Sequence, residues 1–153
     1  MIKKAVFPGS FDPITLGHEN IIRRALSIFD EIIIAVGQNI EKKSQFSLED
    51  RVKWIMQTFA DSPQISVDHY TGLTVDYCRK VGATFILRGL RTSADFEFER
   101  TVGQVNKRLY NSVETVFLLS FPEYTSINSS IVRDVYRNGG DVSMFIPKGI
   151  VLP

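Results

Sequence analysis

The sequence predicts a single α/β domain in which a five-stranded parallel sheet is doubly wound, with helices on both faces. Five short apolar runs alternate along the chain with segments of helical periodicity. The run at residues 31–37, Glu-Ile-Ile-Ile-Ala-Val-Gly, is nearly continuous in apolar side chains, which is typical of a parallel strand covered on both faces. Strands that alternate with helices join into a parallel sheet through right-handed crossovers. A chain of 153 residues is long enough for one such Rossmann-like domain with one core.

The first half of the chain supplies three of the strands and three helices. The strands are predicted at residues 2–7, 31–37 and 64–68. One helix is predicted at residues 17–29, where apolar side chains share a stripe, and another from Ser47, where Ser47-x-x-Asp50 resembles a capping box. A third, short helix is predicted from Thr74, which caps it, to Val81, and Gly82 ends it.

The second half adds strands at residues 84–88 and 114–119 and helices at residues 94–110 and 129–138. The helix at 94–110 is the longest, and one stripe of it carries Phe98, Val102, Val105 and Leu109. Gly139-Gly140 stops the last helix, and a short apolar segment at residues 144–146 follows it.

Composition argues against several classes of function. The net charge of +1 gives no general attraction to nucleic acid or to an anionic membrane. No apolar stretch approaches the roughly 20 residues that span a bilayer, and the start of the chain does not read as a signal peptide. We therefore expect a cytoplasmic protein. With one cysteine and two histidines, neither a disulfide nor a structural zinc cage is expected, and Cys78 is expected to be a buried helix residue.

Unusual polar residues cluster directly after the predicted strands. Parallel sheets bind ligands at the carboxyl ends of their strands. In chain order these ends carry Gly9, Ser10 and His18; Lys42; Thr71, Gly72 and Thr74; Arg88-Gly89-Leu90-Arg91; and residues 124–130. The loops at the opposite edge, at residues 30–31, 61–64 and 111–112, are plain by comparison. This asymmetry favours a ligand site over ordinary solvated loops.

The residue types at this edge favour phosphate binding. Glycine lets the backbone approach a ligand, a helix N-terminus offers free N–H groups, and arginine binds phosphate with two parallel hydrogen bonds. Each feature also has a plainer interpretation. Gly17-His18 fits a capped helix start, Lys42-Lys43 fits a solvated pair, and the serines of 126–130 fit N-caps.

The two arginines, Arg88 and Arg91, fit a salt-bridged turn as well, because Asp95, Glu97 and Glu99 lie close in sequence. The same acids can instead orient the arginines toward a ligand. The chain contains no Ser-His-Asp arrangement and no Walker-type loop. The inventory favours transfer between phosphates, in which positioning and charge neutralisation provide most of the catalysis and no protein nucleophile is required.

Taken in order, these segments make the chain resemble the bacterial phosphopantetheine adenylyltransferases, members of the nucleotidyltransferase superfamily with its T/HxGH motif. The matching segments are Phe-Pro-Gly-Ser-Phe-Asp-Pro at 7–13, Thr-x-Gly-His at 15–18, Lys42-Lys43, Phe-x-Leu-Glu-x-Arg-Val at 46–52, Ile-Leu-Arg-Gly-Leu-Arg at 86–91, Ala-Asp-Phe-Glu-Phe-Glu at 94–99 and Ser-Ile-Asn-Ser-Ser at 126–130. One short motif is weak, but their order and spacing together are specific.

The resemblance implies transfer of AMP from ATP to 4′-phosphopantetheine, which gives dephospho-coenzyme A and pyrophosphate in coenzyme A biosynthesis. It implies direct in-line attack without a covalent enzyme intermediate, because the acceptor phosphate is already a nucleophile. Mg²⁺ would be carried by the ATP phosphates rather than by protein side chains. The resemblance also implies a homohexamer, and it makes coenzyme A a candidate feedback ligand.

The same resemblance assigns the site residues, with His18 as the catalytic stabiliser of charge on the α-phosphate. The residues assigned to ATP are Ser10, Phe11, His18, Gly89, Leu90, Arg91, Glu99, Tyr124, Thr125, Ser126, Ile127, Asn128, Ser129 and Ser130. Those assigned to phosphopantetheine are Ser10, Lys42, Thr74 and Arg88.

Three positions depart from the family pattern. Ser10 stands where threonine is commoner, Asn128 replaces a serine, and the chain ends at Pro153, earlier than typical members. The alternatives are another small-molecule nucleotidyltransferase, acting on nicotinamide mononucleotide or glycerol 3-phosphate, and a non-catalytic nucleotide-binding regulator. Lys42, Arg88 and the region around Thr74 are expected to decide the acceptor.

Overall fold

The computed structural model describes all 153 residues and confirms the predicted sheet. The strands are β1 (Lys4–Gly9), β2 (Glu31–Gln38), β3 (Ile65–Thr71), β4 (Phe85–Leu90) and β5 (Glu114–Leu119). The α-helices are α1 (Leu16–Ala25), α2 (Leu48–Thr58), α3 (Thr74–Val81), α4 (Ser93–Leu109) and α5 (Ser129–Arg137), and a short 3-10 helix spans Pro122–Tyr124. All neighbouring strands are parallel, in the order β3-β2-β1-β4-β5. The strand order therefore reverses at β1, where a crevice opens at the carboxyl ends.

The central strands β1, β2 and β4 are buried on both faces, as the doubly wound prediction requires, whereas β3 and β5 are partly exposed. The larger apolar cluster includes Ala5 and Phe7 of β1 together with residues of α1, α2 and the C-terminal segment. The smaller cluster includes Val6 of β1 and Cys78 of α3, which is fully buried as predicted. Because side chains alternate along a strand, neighbours in β1 belong to different clusters. None of the helices combines the length and apolarity that crossing a bilayer requires.

Four of the five strands, β1 to β4, extend further at their carboxyl ends than their apolar runs suggested. The pairing of β4 with β5 continues to Leu90 opposite Leu119, and β3 pairs with β2 as far as Thr71. The backbone can continue a ladder after the apolar side chains end, since the ladder bonds do not depend on side-chain type. As a result Gly89 and Leu90 lie within β4 rather than after it.

The helix caps agree with the sequence in part. Oγ of Ser47 accepts from the N–H of Asp50 at 3.1 Å, but the return bond of a full capping box is absent. Gly82 ends α3 in the left-handed conformation (φ 71°), as predicted. The prediction that Thr74 caps α3 is wrong, because Leu73 occupies the N-cap and makes no side-chain bond. The Thr74 hydroxyl instead pairs with the hydroxyl of Tyr70 at 2.7 Å.

Helix α4 leaves its apolar stripe in solvent. Such a stripe ordinarily faces the core, but Phe98 is 69% exposed and Val102, Val105 and Leu109 are also exposed. The side of α4 that meets the sheet carries Glu99 and Gly103 instead. A Cβ on Gly103 would lie 3.2 Å from Oγ1 of Thr115 in β5, so glycine permits this close approach. The stripe is therefore an apolar surface that the single chain leaves uncovered.

Candidate active site

Two cavities open side by side at the carboxyl ends of the strands. The larger, of about 850 Å³, lies over β1, β4 and the N-terminus of α5. The smaller, of about 650 Å³, lies between β3, β4 and α4. Ser10, Arg88 and Glu99 line both cavities, so these residues mark the junction.

The larger cavity collects most of the residues that the sequence singled out. It is lined by Ser10, Phe11, His18, Lys42, Arg88, Gly89, Arg91, Glu99, Ile127, Asn128, Ser129 and Ser130. Thr74 lines the smaller cavity. Four of the assigned residues line neither. Leu90 is buried in the sheet, and Tyr124 lines a separate hollow beside α1. Thr125 and Ser126 lie in the loop between Tyr124 and α5.

His18 is held at the start of α1 by a reciprocal cap with Thr15. The backbone N–H of Thr15 donates to Nδ1 of His18 at 3.0 Å, and the backbone N–H of His18 donates to Oγ1 of Thr15 at 3.4 Å. Because Nδ1 accepts a hydrogen bond, a neutral ring carries its proton on Nε2. The capping interpretation of His18 is therefore confirmed, and it leaves Nε2–H available to a ligand in the larger cavity.

The imidazole is also fixed by aromatic packing and by charge. The ring of Phe11 meets it edge-on, with centroids 4.9 Å apart. Phe11 itself has a left-handed backbone (φ 47°), and a Cβ on Gly9 would lie 3.0 Å from the Phe11 ring, so this turn requires glycine there. Burial, and then the positive charges of Arg88 and Arg91, lower the pKa of His18 from 6.5 to about 4. Without a ligand, His18 is a neutral donor at pH 7.

Two hydrogen-bond partners, Glu99 and the carbonyl of Pro8, hold the Arg88 guanidinium in place. Its Nε and Nη2 donate to the two carboxylate oxygens of Glu99 at 2.9 and 2.6 Å, and its Nη1 donates to the carbonyl of Pro8 at 2.6 Å. Glu99 is only 9% exposed, so this bidentate pair is largely shielded from solvent. This ion pair is common to both sequence interpretations, because a salt-bridged turn and an acid that orients the arginine toward a ligand each contain it.

The larger cavity is rich in cations. Arg91 is held by Asp95, whose carboxylate accepts from the Arg91 backbone N–H at 3.0 Å and from Nε at 3.2 Å. The lining carries six basic side chains, Lys42, Lys43, Arg88, Arg91, Arg133 and Arg137, against three carboxylates, Asp12, Asp95 and Glu99. Since the whole chain has a net charge of only +1, the positive charge is concentrated here. Such a cavity favours polyanions.

The three carboxylates of the larger cavity already have hydrogen-bond partners within the protein. Asp95 and Glu99 bind the two arginines, and Asp12 accepts from the backbone N–H groups of Gln45 and Phe46. No group of three or more His, Cys, Asp or Glu residues is placed to hold a metal ion.

The N-terminus of α5 forms one wall. Asn128 is its N-cap, with Oδ1 accepting from the N–H of Ile131 at 2.9 Å, while Ser129 donates to the carbonyl of Pro13 at 2.8 Å. Asn128 thus performs the capping role despite its departure from serine. The free N–H groups of the first turn are available for an anion.

Two cationic residues of this wall were not among the predicted site residues. Arg133 and Arg137 lie four residues apart on α5, and both line the larger cavity. Nη1 of Arg133 donates to the carbonyl of Asp12 at 2.8 Å, and Nε of Arg137 donates to Oε1 of Gln45 at 3.0 Å. The signal in the sequence was their spacing, which places both on the same helix face as the serine-rich start.

Comparisons with known proteins identify relatives of this chain. A cytidylyltransferase-like family model matches residues 6–135. The phosphopantetheine adenylyltransferase of Flavobacterium psychrophilum is 58% identical over 97% of this chain and 98% of its own length. That of Flavobacterium johnsoniae is 55% identical over 97% of both chains.

A more distant likeness concerns the fold alone. A bifunctional NMN adenylyltransferase/ADP ribose pyrophosphatase from Francisella tularensis, solved with AMP and a manganese ion, superposes with a TM-score of 0.70 at 17% identity. The match covers 98% of this chain and 46% of that one.

Proposed function

This chain belongs to the cytidylyltransferase-like family and, within it, to the phosphopantetheine adenylyltransferases, and we propose that it joins its two substrates where Ser10 and Arg88 separate the cavities. The chain is a nucleotidyltransferase that moves AMP from ATP to 4′-phosphopantetheine in coenzyme A biosynthesis. The products are dephospho-coenzyme A and pyrophosphate.

The observation that carries the assignment of substrates is the contrast between the two cavities. The larger is lined by cations and by the N-terminus of α5, which suits the triphosphate of ATP. The smaller has apolar walls from Ile40, Ile86, Phe98 and Val102 and carries Thr74. Those walls suit the pantetheine arm, and its phosphate would then meet Ser10, Lys42 and Arg88.

In this arrangement the enzyme needs no base and no nucleophile of its own. An oxygen of the acceptor phosphate forms a bond to the α-phosphorus, and the bond from that phosphorus to the bridging oxygen of the β-phosphate breaks, so pyrophosphate leaves. His18 donates from Nε2 to the α-phosphate, where negative charge increases in the transition state. Lys42, Arg88 and Arg91 hold the two reacting phosphates in line.

The remaining assigned residues form the surroundings of ATP. Phe11, Gly89, Leu90, Glu99 and residues 124–130 are proposed to contact or shape the nucleotide site, with Glu99 acting through Arg88. Tyr124, Thr125 and Ser126 can reach the nucleotide only at its rim, since they lie outside the larger cavity.

A divalent cation is expected to accompany ATP. The likeness to a manganese-bound adenylyltransferase supports a divalent metal in this superfamily, and we infer that Mg²⁺ is the ion used here. It would neutralise charge on the β- and γ-phosphates, held by their oxygens.

Oligomeric state, location and feedback are also proposals. The exposed stripe of α4 supports association into a homo-oligomer, with the hexamer expected from the family resemblance. A cytoplasmic location stays the expectation drawn from the sequence, and coenzyme A as a feedback ligand rests on the family resemblance alone.

One assay tests the function. Pyrophosphate release is measured with ATP and Mg²⁺, with and without 4′-phosphopantetheine, and then with nicotinamide mononucleotide or glycerol 3-phosphate as the acceptor. We expect release only with 4′-phosphopantetheine. Release with another acceptor would identify a different nucleotidyltransferase, and ATP binding without release would identify a regulator.

A further inference from the structure

Two buried charged side chains, Asp12 and Arg51, have no role of their own in the proposed reaction. Both residues are 5% exposed. Asp12 lies in the segment at 7–13 and Arg51 in the segment at 46–52. The fold brings these segments together beside Ser10.

Asp12 fastens the loop that carries Lys42. Its carboxylate accepts from the backbone N–H of Gln45 at 2.8 Å and of Phe46 at 3.0 Å. These two bonds hold the end of the 39–46 loop against the turn that contains Ser10. Two charge-assisted bonds to backbone amides fix this spacing more firmly than neutral contacts do.

Arg51 fastens the same two loops from helix α2. Its Nη1 donates to the carbonyl of Ser10 at 2.8 Å, and its Nε donates to the carbonyls of Phe46 at 3.1 Å and Ser47 at 3.3 Å. The partners are backbone carbonyls rather than a carboxylate. A buried guanidinium used in this way fixes backbone positions, because moving either loop would leave buried donors unpaired.

We propose that Arg51, together with Asp12, is a positioning residue for the acceptor phosphate. Arg51 lines neither cavity and acts through Ser10 and the Lys42 loop, which it holds at a fixed separation. The inference rests on the proposed function, since Ser10 and Lys42 are its phosphate-binding groups. Arg51 would thus act in the reaction as well as contribute to stability.

The test uses Arg51→Lys in the full-length enzyme. Lysine keeps the charge, but its single ammonium cannot bridge the Ser10 and Phe46 carbonyls with a planar fork. The KM for 4′-phosphopantetheine should rise about tenfold or more, while the KM for ATP changes less than about threefold. Lys53→Met, an exposed cation on the same helix, is the matched control and should leave both values unchanged.

A second variant, Asp12→Asn, keeps the size of the side chain and removes its charge. Hydrogen exchange at the amides of Gln45 and Phe46 should accelerate about tenfold, with the amides of β1 unchanged. This variant carries the same KM comparison if Arg51→Lys does not fold.

The outcomes separate the inference from the proposed function. A lower melting temperature with both KM values unchanged would show a purely structural residue and overturn the inference. Absence of acceptor-dependent pyrophosphate release from the unmodified enzyme would overturn the proposed function, and the inference with it.

Discussion

The backbone N–H of Thr15 donates to Nδ1 of His18, and this single bond decides which nitrogen of the imidazole is free to bind a ligand. The return bond from the His18 N–H to Oγ1 of Thr15 completes the cap. Since Nδ1 is occupied as an acceptor, Nε2–H is the donor that a phosphate in the larger cavity meets. The start of α1 is therefore capped by the same side chain that is proposed to stabilise the transition state.

Replacing His18 by alanine is expected to lower kcat by about 100-fold or more, as for the loss of one oxyanion donor. Both KM values should change little, because the bond to the α-phosphate strengthens mainly in the transition state. Steady-state kinetics measure kcat and both KM values. His69→Ala is the control, since His69 is an exposed residue of β3. Near-normal turnover by His18→Ala would contradict the assigned role.

His18 should remain neutral far below the usual range for histidine. Burial and the two arginines lower the pKa of His18 from 6.5 to about 4, so the His18 ring is not expected to titrate near 6.5 in the unliganded enzyme. The unfolded chain binds the extra proton first, so this contribution to stability is complete above 6.5 and is lost as the pH falls through about 4. Ring resonances followed by NMR, assigned by their loss in His18→Gln, measure the pKa. Bound nucleotide should raise it, because its negative charge favours the imidazolium.

The bidentate pair between Arg88 and Glu99 makes a prediction about substrate selectivity. Arg88→Ala is expected to raise the KM for 4′-phosphopantetheine far more than the KM for ATP. Glu99→Gln should act in the same direction but less, roughly threefold to tenfold, because an amide can accept only one of the two bonds. Glu97→Gln is the control, since Glu97 pairs with Arg100 on the exposed side of α4. An effect of Arg88→Ala confined to ATP would rule out its assignment to the acceptor.

The apolar stripe of α4 predicts association that a single charge disrupts. Val105 is 49% exposed and lines neither cavity, so Val105→Glu should shift the enzyme toward smaller species without altering either substrate site. Light scattering after size-exclusion chromatography gives the mass. Gln104→Glu adds the same charge on the other exposed flank of the helix and should leave the mass unchanged. An assembly that survives Val105→Glu intact would show that this stripe is not the contact surface.

Much of the site could be predicted because its residues come in short segments fixed by local geometry. Gly9 and Arg88 lie near the carboxyl ends of β1 and β4, and the cap formed by Thr15 and His18 lies where the chain passes from β1 into α1. Parallel strands place their carboxyl ends together. Arg133 and Arg137 were not predicted as site residues. Both lie on one face of α5, and the local sequence does not show whether that face is turned toward the site.

The sequence by itself determined the succession of strands and helices along the chain, the edge of the sheet that carries the candidate phosphate-binding residues and the chemical type of each of these residues. These follow from periodicity and from residues that act where they stand. Only the tertiary structure decided how the groups are oriented. Glu99 binds Arg88, Asp12 and Arg51 join the turn at Ser10 to the loop that ends 33 to 34 positions after Asp12, and the stripe of α4 faces solvent. Such contacts depend on helix rotation and loop closure, which long-range packing sets and local sequence does not.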